Sequence, residues 1–303
     1  MNSEPSVLLG LIGYGIQGSL TPAMHEREAA EQGLSCIYRL IDLEPLGLGT
    51  AALSELITAA ERMGFTGLNI TFPCKQAALP LLDELAPDAR AVGAVNTVLF
   101  RNGRRIGHNT DLTGFAESFG LSLPDVPRRR VVQIGAGGAG AAVAHALLSL
   151  DAGELAIFDL EPKRAATLAA ALVARFGDRR AIGGEDLGRE IAGADGLVNA
   201  TPVGMASFPG LPVPVETLRP SLWVADVIYV PIETELLARA RALGCRTLDG
   251  GGMAAFQAAS AFELFTGRPA DARRMRRHFE TLRSDAVLRP GERPQARSTS
   301  SIL

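Results

Sequence analysis

The sequence predicts an α/β fold, and three observations carry that reading. Short apolar runs ended by glycine or proline alternate with longer stretches of helical spacing. Val131-Val132-Gln133-Ile134 leads straight into Gly135-Ala136-Gly137-Gly138-Ala139-Gly140 and an alanine-rich stretch, the order strand, tight turn, helix. Gly196 to Met205 reads as a further strand entering a Gly/Pro loop and Trp223 to Pro231 as one more, both ending where the carboxyl edge of a doubly wound sheet would carry its ligand. With 303 residues, 47% of them apolar, the chain can fill one large domain or two ordinary ones.

Taken in order, Val7 to Gly13 reads as a buried strand, and Ser19-Leu20-Thr21-Pro22 opens a helix through Met24, His25 and Ala29. Cys36 to Ile41 alternates as a second strand, Ala51 to Met63 reads as a helix, and Gly67 to Thr71 as a short strand stopped by Pro73. Ala77, Leu81 and Leu82 recur near helical spacing within Gln76 to Leu85. Ala91 to Phe100 passes from small residues into a strand, Asn102-Gly103 signals a hairpin, and Thr113 to Phe119 reads as a helix. Beyond the glycine loop come a helix of Ala139 to Leu150 and a strand of Leu155 to Phe158 ending in Asp159. Leu248 to Met253 reads as a hinge-like glycine run, followed by helices of Ala254 to Phe265 and Ala270 to Leu282. The last sets Met275, Phe279 and Leu282 on one face and a solvated basic side on the other. From about Asp285 the composition predicts a disordered tail.

Composition excludes several functions. A formal net charge of −3 offers no basic excess for nucleic acid and no acidic tract for a metal buffer. Cys36, Cys74 and Cys245 are odd in number and far apart, so neither a disulfide framework nor a metal site is expected, and a cytoplasmic location fits best. The first residues lack the basic start and apolar run of a secretion signal. Residues 131–150 are long and uncharged enough to raise a membrane span, but their glycines favour strand, turn and helix. Small-molecule chemistry is the expected class, without nucleic-acid or membrane partners, and a homodimer stays open.

The candidate chemistry starts at Lys75, which leaves a strand end on the rigid turn Thr71-Phe72-Pro73-Cys74, and at Asp111, on a separate loop of the same half. Alone, Lys75 reads equally as a solvated surface charge and Asp111 as a helix cap. Ser19 and Thr21 fit helix capping or ligand binding, and Asn96, interrupting an apolar run, fixes its own loop or offers a donor and an acceptor to a ligand. The Gly135 to Gly140 loop is better defined, because it follows a strand, opens a helix and precedes a strand ending in an acid twenty-four residues after Gly135. In that setting glycines let backbone N–H groups approach a pyrophosphate at a helix N-terminus, while the acid accepts from a ribose diol.

Seven motifs now line up: Gly-x-x-x-Ser-x-Thr-Pro at 15–22, Asn-Ile-Thr-x-Pro-x-Lys at 69–75, Gly-Ala-Val-Asn-Thr at 93–97, Asn-Thr-Asp-x-x-Gly at 109–114, the glycine loop at 135–140, Asn-Ala-Thr-Pro-x-Gly-Met at 199–205 and Gly-x-Gly-Met-x-x-x-Gln at 250–257. Together they resemble the shikimate/quinate dehydrogenase family over roughly residues 7–280. The resemblance implies an N-terminal α/β substrate domain (1–114), a Rossmann-type doubly wound nucleotide domain (115–253), C-terminal helices returning to the first domain (254–284) and a tail (285–303). It implies Lys75 and Asp111 as the catalytic pair. Ser19 and Thr21 would hold a substrate carboxylate, and Thr71, Asn96, Tyr229 and Gln257 would line the ring site. Gly135, Ala136, Gly137, Gly138, Ala139, Asp159, Thr201, Val227 and Gly250 would lie along a nicotinamide dinucleotide.

Two departures sharpen the expectation. Relatives similar to the biosynthetic enzyme carry Ser-x-Ser where this chain has Ser19-Leu20-Thr21, and a basic NADP-clasping stretch where it has Asp159-Leu160-Glu161. An acid there repels a 2′-phosphate and suits a free 2′-hydroxyl, so NAD is expected over NADP, although Lys163 and Arg164 stand close by. The expected activity is hydride transfer between NAD and shikimate or quinate. A dehydrogenase of an aminated ring analogue, a non-catalytic dinucleotide sensor and a methylene-folate dehydrogenase are the other readings.

Overall fold

The computed structural model describes residues 6–178 and 180–288. Its first part builds β1 (Ser6–Gly13), α1 (Thr21–Glu31), β2 (Ser35–Asp42), α2 (Leu53–Arg62), β3 (Gly67–Ile70), β4 (Glu84–Leu85), α3 (Pro87–Val92), β5 (Thr97–Arg101) and β6 (Arg104–His108). These strands form one six-stranded sheet in the order β2-β1-β3-β5-β6-β4. β1 is parallel to β2 and β3, while β5 is antiparallel to both β3 and β6. The β5–β6 hairpin turns at Asn102 and Gly103, both at positive φ, as the Asn-Gly pair predicts.

The second part runs through α4 (Asp111–Ser122), β7 (Arg130–Ile134), α5 (Gly138–Ser149), β8 (Glu154–Phe158), α6 (Pro162–Phe176), β9 (Ala181–Gly183), α7 (Leu187–Ala192), β10 (Gly196–Asn199), β11 (Trp223–Asp226), α8 (Glu235–Ala242) and β12 (Thr247–Leu248). Its sheet is parallel throughout, in the order β12-β11-β10-β7-β8-β9. The order reverses direction between β7 and β10, the switch point where doubly wound sheets bind their ligands. Val132, Ala156 and Val224 pack on one face of this sheet, and α4 and α5 cover the other, where Phe119 meets Trp223 edge-on at 5.1 Å.

Two long helices then return to the first sheet, α9 (Gly250–Thr266) and α10 (Ala272–Leu288). α9 lies so close to α4 that a Cβ on Gly114 would come within 2.8 Å of the Gln257 amide nitrogen and the Met253 carbonyl. α10 buries Met275 and Phe279, as its spacing predicts, but its basic side is not uniformly solvated. Arg274 instead donates through Nε and Nη2, at 2.9 and 2.6 Å, to the fully buried carboxylate of Glu28 on α1. That two-point ion pair clamps the C-terminal helices to the first sheet.

Several element bounds differ from expectation. The stretch Gln76 to Leu85 makes turns, a 3₁₀ segment at Leu79–Leu81 and then β4, because Pro80 lacks the N–H a continuing helix needs. The chain there is drawn onto the edge of the sheet, where the Asp83 and Ala86 amides donate to Arg105 and Gly107. The glycine run 250–252 forms the first turn of α9 rather than a hinge, because Asp249 caps it by accepting from the Gly251 amide at 3.0 Å. α10 continues as helix past Leu282 to Leu288, and the remainder of the expected tail, 289–303, lies outside the described residues.

Candidate active site

Lys75 sits on the turn after β3 and Asp111 is the first residue of α4, so two separate elements deliver the pair. Lys75 Nζ donates to Asp111 Oδ2 at 2.5 Å, with side chains only 15% and 6% exposed, which excludes the reading of Lys75 as a free surface charge. Both ends are fixed from behind. The Cys74 amide donates to the Thr71 carbonyl and the Val95 amide to the Lys75 carbonyl, while Asn109 Oδ1 accepts from the Asp111 and Leu112 amides and so caps α4.

Around the pair lies a layer of amides and hydroxyls. Asn96 is buried with its hydrogen-bonding capacity filled: Oδ1 accepts from the Thr110 amide and the Thr97 hydroxyl, and Nδ2 donates to Thr110 Oγ1 at 2.8 Å and Gln257 Oε1 at 3.5 Å. It thus ties the start of β5 to α4 and α9. Thr110 Oγ1 also donates to Gln257 Oε1 at 3.4 Å, bringing the C-terminal helix to the site. Thr71 turns its methyl toward Gly13, where no side chain could stand.

Ser19 and Thr21 adjoin each other, Ser19 Oγ donating to Thr21 Oγ1 at 3.1 Å and accepting from the Thr21 amide at 3.3 Å. Neither caps α1, whose cap position is Leu20 with no side-chain bond. Tyr229, on the loop that follows β11, lies close to both hydroxyls. Burial pushes its phenol above the ordinary value, and the charge of Asp111 adds to that. One residue therefore links the Ser19–Thr21 end to the Asp111 end across the two sheets.

The dinucleotide positions gather at the carboxyl edge of the second sheet. Gly135 turns at φ 102°, and a Cβ on Gly140 would fall 2.1 Å from the Gly135 carbonyl, so the first and last glycines are required by the fold itself. A Cβ on Gly137 would meet nothing within 4 Å. Open space over that backbone, at the cap of a twelve-residue helix, is where a pyrophosphate fits. A Cβ on Gly138 would lie 2.9 Å from Lys75 Cβ, so the glycine loop touches Lys75. Asp159 accepts from the Ala136 amide at 2.8 Å and the Glu161 amide at 3.0 Å, which aims its carboxylate at the loop. Thr201 is held by Asn199 Oδ1, through its amide at 3.1 Å and its hydroxyl at 2.7 Å, and Gly250 donates its amide to the Ile228 carbonyl next to Val227. Arg164 is engaged with Glu161 at 3.0 Å.

Supporting residues went unnoticed in the sequence. Gln133, fully buried within β7, donates to the Gly135 and Gly140 carbonyls and holds the glycine loop from below. Asp42 accepts from the Gly15 and Ile16 amides and from Gln17, fixing the approach to Ser19. Tyr38 donates to Asn69 at 2.7 Å under the ring-site layer. Gln133 interrupts an otherwise apolar strand, and that interruption was the available signal; Tyr38 and Asp42 share the mixed strand β2 with Ser35 and Arg39, which carries no such mark.

A glycine loop at the switch point of a doubly wound sheet, lying on a lysine from the other sheet that is paired with a carboxylate at the start of α4, defines a two-domain nicotinamide-dependent dehydrogenase. The family model described as "Shikimate dehydrogenase substrate binding domain" matches residues 11–98, and that described as "Shikimate 5'-dehydrogenase C-terminal domain" matches residues 250–278. A shikimate dehydrogenase (NADP(+)) of Streptomyces avermitilis is 58% identical over 289 residues, 95% of this chain and 99% of its own. A quinate/shikimate dehydrogenase (NAD(+)) of Corynebacterium efficiens is 52% identical, over 93% of this chain and all of its own length. The solved quinate dehydrogenase of Corynebacterium glutamicum in complex with NAD superposes with a TM-score of 0.82 at 48% identity, covering 91% of this chain and 99% of that one. The chain belongs to the shikimate/quinate dehydrogenase family.

Proposed function

We propose that the protein interconverts shikimate and 3-dehydroshikimate, or quinate and 3-dehydroquinate, with NAD as the preferred partner. Residues 1–114 take the ring acid, 115–253 the dinucleotide, and the helices of 254–284 close back over the first domain. The observation that carries the reading is the Lys75–Asp111 pair lying against Gly138 of the dinucleotide loop. The bound dinucleotide supplies the hydride acceptor.

This chain's own residues do the rest. Ser19 and Thr21, joined by Tyr229, present hydroxyls to the substrate carboxylate. Thr71, Asn96 and Gln257 hold the ring, the long 3.5 Å bond between Asn96 and Gln257 being the one a substrate hydroxyl replaces. Lys75 and Asp111 relay the proton of the reacting alcohol, and in the reducing direction return it to the forming alkoxide. Thr201, Val227 and Gly250 line the dinucleotide beyond the glycine loop.

Asp159 decides the dinucleotide. Its carboxylate is fixed beside the loop and keeps lone pairs for a ribose diol, whereas a 2′-phosphate would meet like charge. Named relatives of both kinds, NAD(+) and NADP(+), flank this chain, so the cofactor is the point to test. Initial rates with both acids and both dinucleotides should show NAD ahead of NADP. Asp159→Ser should cost about 1.5 to 3 kcal/mol in NAD use, the range for hydrogen bonds to charged groups, while NADP use holds or improves. A strong NADP preference, or an Asp159→Ser variant with an unchanged ratio, would move cofactor choice to Lys163 and Arg164.

Among the described residues no helix is long and apolar enough to cross a membrane, and no group of three or more His, Cys, Asp and Glu could hold a metal ion. A cytoplasmic enzyme acting on a small cyclic acid is the reading we favour.

A further inference from the structure

Adjacent strands β10 and β11 end in two polar side chains that belong to neither proposed ligand set. Asn199 is fully buried and Asp226 is 2% exposed. Asp226 accepts three hydrogen bonds, from the Ile228 amide at 3.1 Å, from Asn199 Nδ2 at 3.1 Å and from the Thr234 hydroxyl at 2.7 Å. Every bond arrives from a donor, so the pocket is built for a carboxylate ion.

These bonds reach two loops at once. Through Ile228 and Thr234 the carboxylate spans the loop 227–234, which carries Val227 and Tyr229, and Thr234 in turn caps α8 by accepting from the Leu237 amide. The other branch runs through Asn199, which donates to the Val203 carbonyl and accepts from the Thr201 amide and hydroxyl, while the Val203 amide donates to Thr201 Oγ1. α9 closes the arrangement from the far side, because a Cβ on Gly250 would lie 2.3 Å from the Val227 carbonyl. The loops facing dinucleotide and ring acid thus share one buried knot.

We infer that Asp226 is a positioning residue: its carboxylate holds the loops 200–205 and 227–234 in one register across the site, so that Thr201, Val227 and Tyr229 meet their ligands together. The inference rests on reading those loops as ligand-facing. Burial pushes the Asp226 carboxyl up to about 6, opposed by its three donors, and no charged side chain from β10, β12, α8 or α9 contributes to the shift. A proton on Asp226 would confront donors, and only the Thr234 hydroxyl can turn round to accept it. Because the folded value lies above the ordinary 3.8, this group's contribution to stability is present below about pH 4 and lost as pH rises through 6. An opening that returns Asp226 to water therefore becomes easier as pH rises through about 6, so loosening of the two loops on going from mild acid to neutral pH, without global unfolding, is its signature.

The test is Asp226→Asn, a near-isosteric change whose oxygen can still accept from the Ile228 amide and Asn199 but whose N–H replaces the acceptor of the Thr234 hydroxyl, leaving that donor unmade. Hydrogen exchange of the unliganded protein should show faster exchange confined to 200–205 and 227–234. KM for the dinucleotide and for the ring acid should rise together by about tenfold or more, the ~1–3 kcal/mol of a buried donor left unmade, with a smaller change in kcat. Normal protection of both loops with unchanged KM values would overturn the inference. Should Asp226→Asn fail to fold, wild-type protection at pH 5 and 7.5, corrected for intrinsic exchange, decides the matter: selective loss in both loops at the higher pH upholds the role and equal protection ends it. Loosened loops in a protein inactive on either ring acid would uphold the positioning role and refute the proposed substrate.

Discussion

Where the turn after β3 meets the start of α4, the proposed reacting groups are two charged side chains, and their neighbours are amides and hydroxyls tied together over long stretches of chain. At the end of β7 the loop itself holds no charged side chain. Its glycines expose backbone N–H groups, and the residues that shape it, Gln133 beneath and Asp159 beside, spend hydrogen bonds on carbonyls and amides. The first region would act through what its side chains do to a proton, the second through where its backbone goes. The same kind of substitution should therefore fail differently in each: a lost side chain in the first costs turnover, and an added one in the second costs binding.

The largest expected effect breaks the first region. Lys75→Ala removes the cation paired with Asp111, and kcat should fall by at least about a hundredfold, the usual scale for a general acid or base. KM for the ring acid should change far less, since Ser19, Thr21 and Gln257 remain. Steady-state rates separate the two, and wild-type turnover would remove Lys75 from the chemistry.

The matching change in the second region is Gly137→Ala. The backbone there, φ −78° and ψ −169°, suits any residue, and the new methyl meets no protein atom within 4 Å. Thermal stability should stay within about 0.5 kcal/mol of wild type, as for a surface change. KM for the dinucleotide should rise by about tenfold, the ~1–3 kcal/mol that a forced methyl costs in a filled site, with kcat for the chemical step nearly kept. A dinucleotide KM that does not move would mean the pyrophosphate lies elsewhere.

The comparison also explains what could be read from the sequence. The glycine loop was legible because its requirements are local: a strand before, a helix after and an acid at the next strand end all lie within thirty residues. Lys75 and Asp111 were legible only as members of a motif series, since nothing near either residue states that a loop and a helix start will meet. The supporting layer was least visible. Asn199 and Asp226 meet through sheet order, which is not written in any one segment, and Gln133 acts through a loop that folds back over its own strand end. The segment 76–85 misled for a related reason, its apolar spacing being helical while Pro80 and the pairing of β4 with β6 decided otherwise.

The smallest effect sharpens the comparison inside the first region, where binding and chemistry share side chains. Thr21 is 6% exposed, receives a hydrogen bond from Ser19 and is joined by Tyr229, so its hydroxyl already has two neighbours before any ligand arrives. Thr21→Ser keeps that hydroxyl and removes one methyl, leaving the Ser19 contact intact while releasing the χ1 restriction that β-branching imposes. Quinate carries an additional hydroxyl beside its carboxylate that shikimate lacks, so the space and direction of the Thr21 hydroxyl bear on the two acids unequally. Losing a methyl here is worth on the order of 1 kcal/mol, and the ratio of kcat/KM for quinate over shikimate should shift a few-fold, with kcat on the better acid nearly unchanged. Parallel rate measurements on the two acids read this directly. A ratio identical to wild type would assign Thr21 to the packing of the α1 start, and the choice between the acids would pass to Tyr229 and Gln257.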